Sequence, residues 1–403
     1  MKTAPFLRRA ILCTALAGFI AACGGGGGGS GTPASTPSVQ ACQSPTSGAD
    51  NVISVCVDDG PLSSQREVNR LYVDITICAP GTSSCQTIDH VLVDTASVGL
   101  RLLDSVVTVG SGKTSYFNCA RFLDLTYTWG AVKTLDLRLG QQKISALPVQ
   151  VFGSSFAECA SGGYSAIESI ADLGAKGILG IGLFEQDCGA DCSIASTGQY
   201  YRCQAGVCTG SLVEVSAQLQ NPIARLGDGQ NNGFVVKLPA VSAPGISTLR
   251  GELVFGVDTQ ANNKLGSASV LNTNAWGEIT TNLAGRTYAE SFIDTGSNGL
   301  YFDIAQTNCV GGGDFYCPST QTPYSAMLTG EGGAPTVAVG FDMGNAESLF
   351  ELGHAVLPTL AGPVNDAAVF DWGLPFYFGR SVFQGISGKS TPGNTHTGPF
   401  IAF

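Results

Sequence analysis

One ten-residue pattern occurs twice in the chain, and this repeat constrains the fold more than any other feature. The first copy, VLVDTASVGL, covers residues 91–100, and the second, SFIDTGSNGL, covers residues 291–300. Each copy runs from apolar residues through Asp, Thr, a small residue, Ser and one variable residue to Gly and Leu. A single copy would carry little weight, because Asp, Gly and Ser are common in turns. Two copies predict two related lobes whose Asp side chains can meet.

The length and composition of the chain fit two β-rich lobes. At 403 residues, the chain exceeds the size at which one hydrophobic core usually stops growing. Only 13% of residues are charged, and 54 Gly and 18 Pro indicate many turns. The formal net charge of -11 argues against a nucleic-acid partner, because phosphate binding needs clustered Lys and Arg. Short apolar runs predict strands at residues 71–77, 134–139, 233–238, 252–255 and 377–383, and residues 211–226 predict one helix interrupted near Pro222.

The first 45 residues predict export and anchoring. Residues 1–22 have the basic start and short apolar run of a signal peptide. The run ends in Ile-Ala-Ala-Cys23, which resembles a bacterial lipobox with an acylated Cys; a plain secretory signal beside a Cys is the alternative. Residues 23–45 are rich in Gly, Ser and Pro and predict a flexible linker. With Gly24 after the Cys, we expect an exported bacterial lipoprotein on the outer membrane, facing the periplasm or the cell surface.

The cysteines fit an oxidising compartment. Of the 14 Cys, Cys13 and Cys23 belong to the signal and the anchor, so an even number remains for pairing. Four Cys at positions 188, 192, 203 and 208 have a spacing that two disulfides or a zinc site could use, and we favour disulfides. The other predicted pairs are Cys42 with Cys56, Cys78 with Cys85, Cys119 with Cys159 and Cys309 with Cys317.

Four further segments, in the same order along the chain, support a family resemblance. They are residues 176–182 (KGILGIG), the pair 233–239 and 250–259, residues 375–383 (PFYFGRSVF) and residues 398–403. Together with the repeat, they resemble the pepsin-like aspartic proteases of the two-lobed type, and the chain is also similar to an uncharacterised bacterial lipoprotein branch. The resemblance implies an all-β fold with two related six-stranded-type β-barrel lobes, a cleft between them and few short helices. The lobes would cover residues 46–262 and 263–403.

The resemblance also implies the roles of individual residues. Asp94 and Asp294 would be the catalytic pair. The expected supporting residues are Thr95 and Thr295, which would bond across to the opposite loop; Ser97 and Ser297, which would donate to the carboxylates; and Gly296, Gly180 and Gly379, the last two allowing their strands to pass beneath the loops. Tyr127 and Trp129 are the candidates for a flap that covers the substrate. No metal and no cofactor are expected, and the protein would be a monomer.

Two adjacent carboxyl groups can hydrolyse a peptide without a metal. Like charges at this distance do not both ionise, so the pair shares one proton. One carboxylate then takes a proton from water while the protonated partner polarises the carbonyl group. The substrate would be an extended polypeptide whose apolar side chains fill the pockets. The chain departs from the family at Ala96, where Gly is usual. This leaves open a non-catalytic lipoprotein that binds peptide or glycan in the same cleft.

Overall fold

The computed structural model describes residues 48–112, 115–310, 313–364 and 366–403. Thirteen strands lie before residue 260. They are β1 (Val52–Val57), β2 (Tyr72–Cys78), β3 (Cys85–Asp94), β4 (Val98–Leu103), β5 (Tyr116–Arg121), β6 (Thr126–Leu139), β7 (Gln142–Phe152), β8 (Ser165–Ala166), β9 (Gly177–Ile181), β10 (Tyr200–Gln204), β11 (Val207–Gly210), β12 (Gly233–Lys237) and β13 (Leu249–Phe255).

Ten more strands and three short α-helices complete the described elements. The strands are β14 (Val270–Asn272), β15 (Ile279–Leu283), β16 (Arg286–Ile293), β17 (Leu300–Phe302), β18 (Thr322–Thr329), β19 (Thr336–Met343), β20 (Ala361–Gly362), β21 (Val369–Trp372), β22 (Ser381–Gly385) and β23 (Phe400–Ala402). The helices are α1 (Ile170–Leu173), α2 (Asp191–Ile194) and α3 (Ala346–Glu351). The predicted all-β class with few short helices is therefore confirmed.

Six strands of the first half close into a barrel. Going round the ring, β2 pairs with β3, β3 with β9, β9 with β4, β4 with β7, β7 with β6, and β6 again with β2. The inward positions are almost all Val, Ile or Leu with little or no solvent exposure. Such β-branched and aliphatic side chains pack well on a pleated surface, which explains why this segment forms strands.

The second half builds a seven-stranded sheet in the order β19-β18-β15-β16-β21-β17-β20. In the part of the chain that the structure describes, this sheet does not close into a ring. Its core is aromatic: the ring of Phe370 stacks on Phe302 at 4.5 Å and on Trp372 at 4.2 Å between centroids. The second lobe is thus a half-barrel related to the closed barrel of the first.

Strands from both halves also share one sheet. Its order is β1-β13-β12-β22-β23-β14, and β12 of the first half pairs directly with β22 of the second. The described residues belong to one compact unit. The lobe boundary between residues 262 and 263 stays a prediction, although the strands on its two sides are joined by this sheet.

Two of the secondary-structure predictions were wrong. Residues 211–226 form no α-helix; they contain only the short 3-10 turns Val215–Ala217 and Ile223–Arg225. Pro222, which lacks an amide hydrogen, begins the second turn and prevents a continuous helix. The strand expected at residues 377–383 begins only at Ser381, because Leu374–Tyr377 forms a 3-10 turn.

The disulfide predictions that fall on described residues are confirmed. The structure contains Cys78–Cys85, Cys119–Cys159, Cys188–Cys192, Cys203–Cys208 and Cys309–Cys317. The alternative of a zinc site at positions 188 to 208 is excluded, because all four sulfur atoms are in disulfides. Cys56 is also disulfide-bonded, and its predicted partner Cys42 lies outside the described residues.

The predicted signal peptide, the lipidated Cys23 and the linker lie outside the described residues. Within the described residues, none of the helices has the length and apolar character needed to cross a membrane.

Candidate active site

The two repeated motifs occupy equivalent places in the two lobes. In the first lobe, Leu179 of β9 lies between Val93 of β3 and Leu100 of β4. In the second lobe, Trp372 of β21 lies in the same way between residues 293 and 300, which belong to β16 and β17. In both cases one neighbour is parallel and the other antiparallel. This shared pairing places each Asp where a strand passes into a loop. Asp94 is the last residue of β3, and Asp294 directly follows β16.

The first loop surrounds Asp94 with donors. The main-chain N–H groups of Ala96 and Ser97 each donate to Asp94 Oδ1 at 2.9 Å. The Ser97 hydroxyl donates to Oδ2 at 2.5 Å. These three donors hold the Asp94 carboxyl group in one orientation. Ala96 is exposed and keeps its main-chain bond, so the extra methyl group does not disrupt the loop.

The second loop holds Asp294 in a similar but looser way. The Gly296 N–H donates to Oδ1 at 2.7 Å, and the Ser297 hydroxyl donates to Oδ2 at 2.9 Å. Asp294 therefore receives two of the three donors that the first loop supplies. Both carboxyl groups are largely buried, with 7% of Asp94 and 6% of Asp294 exposed.

The two Thr side chains tie the loops to each other. The Thr295 hydroxyl donates to the carbonyl oxygen of Val93 at 2.6 Å. In the other direction, the Thr95 hydroxyl donates to the carbonyl oxygen of Ile293 at 3.3 Å and accepts from the Thr295 N–H at 3.0 Å. These buried bonds cross between the two motifs, so they fix the position of one loop relative to the other.

The two carboxyl groups border the same point in space. A Cβ atom built on Gly296 would lie 3.1 Å from Asp94 Cγ and 3.2 Å from each carboxyl oxygen of Asp294. Burial, and then repulsion from Asp94, raise the pKa of Asp294 to about 7. The Gly296 N–H and the Ser297 hydroxyl oppose this rise. A pair that shares one proton is the expected result of two buried carboxyl groups in contact.

Of the two glycines expected beneath the Asp loops, Gly180 lies there and Gly379 does not. A Cβ at Gly180 would lie 2.9 Å from the Ser97 Oγ and from the carbonyl oxygen of Gly99, so the strand passes directly behind the first loop. Gly379 does not have this role, because it lies against Ala240. Gly373 has it instead: its Cβ would lie 2.1 Å from the carbonyl oxygen of Gly299.

The flap assignment of Tyr127 and Trp129 also needs correction. Only 1% of Tyr127 and 5% of Trp129 is exposed. Tyr127 OH accepts from the Phe156 N–H at 3.0 Å, and the Trp129 ring stacks on Phe156 at 4.0 Å between centroids. Their packing leaves neither side chain free to cover a substrate. The exposed residues of the β5–β6 hairpin are at its tip, where 70% of Leu123 is exposed.

Three residues around the pair were missed by the sequence reasoning. The Tyr377 hydroxyl lies 3.0 Å from Thr95 Oγ1, and Gln384 Nε2 donates to the carbonyl oxygen of Ile293 at 3.2 Å. Burial, and then the charge of the nearby Asp294, raise the pKa of Asp371. The FDWG segment that contains Asp371 ends in Gly like the ILG segment of the first lobe, and that likeness was the available signal.

The described residues contain one candidate group for a metal, formed by Cys309, Cys317 and Glu347. Both cysteines are in one disulfide, so they cannot act as thiolate ligands.

Comparison with known proteins agrees with this architecture. The chain is similar in structure to the aspartic proteinase from Irpex lacteus, with a TM-score of 0.51 at 14% identity, over 87% of this chain and 96% of that chain. At this identity the likeness concerns the fold, which is the two-lobed pepsin-like fold. No curated protein sequence matches the chain. A family model described as "Protein of unknown function (DUF3443)" matches residues 47–403, and the chain therefore belongs to this family.

Proposed function

We propose that the protein is an aspartic endopeptidase in which Asp94 and Asp294 activate a water molecule. The observation that carries the proposal is that both carboxyl groups border one point and are held there by reciprocal bonds between the two loops. One carboxylate acts as the general base toward water, and the protonated partner donates to the carbonyl oxygen of the peptide. The shared proton belongs to the pair and not to one residue.

The supporting residues act through the pair. Ser97 and Ser297 donate to the carboxyl oxygens, and the two Thr side chains keep the groups in register. Preorganised contacts of this kind let the site meet the transition state without further rearrangement. The substrate is an extended polypeptide, and the protein works as a monomer without a metal or cofactor.

The test is cleavage of an unfolded protein by the purified protein between pH 3 and 7. Wild type should cut, a statine-type transition-state mimic should block the reaction, and Asp294→Asn should lower kcat by at least about a thousandfold, as removal of a catalytic group does. Asp228→Asn, at an exposed turn, is the matched control for loss of one carboxylate. Cleavage that persists in Asp294→Asn would contradict the proposal.

A non-catalytic lipoprotein that binds peptide or glycan in the cleft is the second candidate; it is raised by Ala96, which stands where the resembled family has Gly, although the loop keeps its bonds to Asp94. It predicts that a peptide binds while no bond is cut at any pH. We also propose that the protein is exported, is lipidated at Cys23 and lies at the outer membrane, facing the periplasm or the cell surface. The lipobox-like sequence before Cys23 and the Gly-rich segment after it support this location.

A further inference from the structure

The strand β21 presents an acidic residue on the same side of the sheet as Asp294. Phe370 and Trp372 are fully buried in the aromatic core of the second lobe. Side chains alternate along a strand, so Asp371 points to the opposite face. Phe292 of β16 pairs in register with Asp371. Because Phe292 lies two residues before Asp294, both side chains are on the same face of the sheet. Asp371 thus borders the neighbourhood of the catalytic pair.

The duplication supplies an internal comparison. The first-lobe pair equivalent to Phe292 and Asp371 is Leu92 and Ile178, which face each other across β3 and β9. Leu92 and Ile178 belong to an apolar cluster, against which Phe122 of the β5–β6 hairpin packs. In the first lobe, the residue equivalent to Asp371 is therefore an aliphatic side chain of a buried core. In the second lobe, the same position holds a carboxyl group.

Asp371 has no positively charged partner among the groups that act on it. Only 7% of the residue is exposed, and its Oδ1 atom has no hydrogen-bond partner. Burial and then the charge of Asp294 raise its pKa well above the usual range; the Ser297 hydroxyl opposes this, and Asp94 adds to it. Tyr301 on β17 lies in register on its other side. The Oδ1 atom of this buried carboxyl group can therefore accept a hydrogen bond that a ligand provides.

Arg70 and Tyr377 lie nearby but have partners other than Asp371, and Asp124 and Asp314 add only negative charge. Arg70 acts on Tyr301, but its Nη1 donates to the carbonyl oxygen of Gly296 at 3.2 Å, and its Nε lies 3.7 Å from Glu67 Oε2. Tyr377 is fully buried, and its hydroxyl lies 3.0 Å from the Thr95 hydroxyl. The hairpin tip contributes Asp124, whose negative charge also reaches Tyr301.

We propose that Asp371 is a specificity-determining residue that receives a Lys or Arg side chain of the substrate at one of the two positions flanking the cleaved bond. When the cation enters, Asp371 releases its proton to solvent and pairs as a carboxylate. The preference in cleavage rests on the proposed function, whereas the preference in binding does not require that the peptide is hydrolysed.

The test uses two peptide pairs that differ only in Lys against norleucine, placed before or after the expected cleavage point. Norleucine keeps the aliphatic chain of Lys and lacks its charge. Wild type should favour Lys in one of the two positions by about tenfold or more in kcat/KM, because a charge pair removed from water discriminates strongly. The preference should grow as pH rises, since the carboxyl group must ionise. Asp371→Ile, which copies Ile178, should reverse it, and the isosteric Asp371→Asn should abolish it.

Binding is measured in parallel with statine-containing peptides that carry Lys or norleucine. This readout separates the two proposals. If wild type binds the Lys peptide more tightly than the norleucine peptide, Asp371→Asn does not, and no substrate is cut, the basic subsite is supported and the proposed hydrolysis is refuted. If substrates are cut with the same ratio of Lys to norleucine in wild type, Asp371→Asn and Asp371→Ile, the hydrolysis stands and the subsite is refuted. Denaturant unfolding identifies any variant that fails to fold. If Asp371→Ile does not fold, the comparison of wild type with Asp371→Asn tests the subsite.

Discussion

The two Asp loops differ in the residue that follows the Thr, which is Ala96 in the first loop and Gly296 in the second. A Cβ atom on Gly296 would crowd the carboxyl groups of both Asp residues at 3.1 to 3.2 Å, so a side chain there would displace them. The Ala96 residue is exposed, and its N–H still reaches Asp94. The departure from the family pattern therefore falls in the loop that tolerates it.

This asymmetry predicts opposite outcomes for two small exchanges. Gly296→Ala should lower kcat by about ten- to a hundredfold, because a displacement of the reacting groups by less than 1 Å is costly. Ala96→Gly should change kcat little, since glycine keeps the main-chain donor. Steady-state kinetics with one peptide substrate compares the two variants, and unfolding curves check their stability. Equal losses in both variants would show that the loops are equivalent.

The raised pKa of Asp294 predicts how activity and stability change with pH. Activity requires a shared proton, so it should fall as pH rises through about 7. The folded protein holds this proton between pH 4 and 7, where an unfolded Asp with the ordinary pKa of 3.8 has lost it. The contribution of Asp294 to stability therefore declines over that range, and above pH 7 the charged group destabilises the fold.

Asp294→Asn tests this linkage without a substrate. The variant cannot ionise, so at pH 8 it should be more stable than wild type by on the order of 1 to 3 kcal/mol, and the difference should shrink toward pH 4. Urea unfolding at both pH values measures it. A difference that stays constant with pH would mean that Asp294 is not the group that gains a proton on folding.

The hairpin formed by β5 and β6 has a packed base and an exposed tip. Trp129 at the base stacks on Phe156 and Phe117, whereas the tip exposes Leu123 and Leu125. Leu125 also has a positive φ of 62°, a conformation that costs energy for a branched residue. Such strained backbone conformations are found mainly at functional sites.

Exchanges at the base and at the tip should separate stability from substrate binding. Trp129→Ala should cost about 3 to 5 kcal/mol, because it removes a large buried ring. Leu123→Ser should leave stability within about 0.5 kcal/mol, as is typical of exposed positions, and should raise KM if the tip closes over the peptide. Unfolding curves and KM values are the measurements. A stable Trp129→Ala protein with a raised KM would instead support the assignment of Trp129 to a substrate-covering flap.

The lobes are joined by more than the two Asp loops. Because β22 pairs with β12, part of the second half completes a sheet of the first. We predict a single cooperative thermal transition for the two lobes, since neither can unfold without breaking this sheet. Scanning calorimetry should give equal calorimetric and van't Hoff enthalpies. Two resolved transitions would contradict the prediction.

The location of the protein can be tested at one atom. If Cys23 is acylated, mass spectrometry of protein from bacterial membranes should find a lipid-modified Cys as the first residue, and Cys23→Ser should appear in the soluble periplasmic fraction. Release of an unmodified chain from wild type would instead support the plain secretory signal.

The class of fold and the inner part of the candidate site could be predicted from the amino-acid sequence. An apolar strand followed by Asp-Thr-small-Ser makes a local turn whose donors come from the next two or three residues, so Asp94, Ser97, Asp294 and Ser297 could be assigned before any contact was known. The near-neighbour disulfides were predictable for the same reason, because cysteines a few residues apart are already close.

The distant segments that meet these loops could not be predicted in the same way. Gly373 rather than Gly379 lies behind the second loop because β21, and not β22, pairs with β16. Trp129 is buried because Phe156, which lies beyond the next strand, stacks on it. The pairing of β21 with β16 also brings Asp371 close to Asp94 and Asp294. Such contacts depend on the register of strands that are far apart along the chain, and a local pattern of residues carries no record of that register.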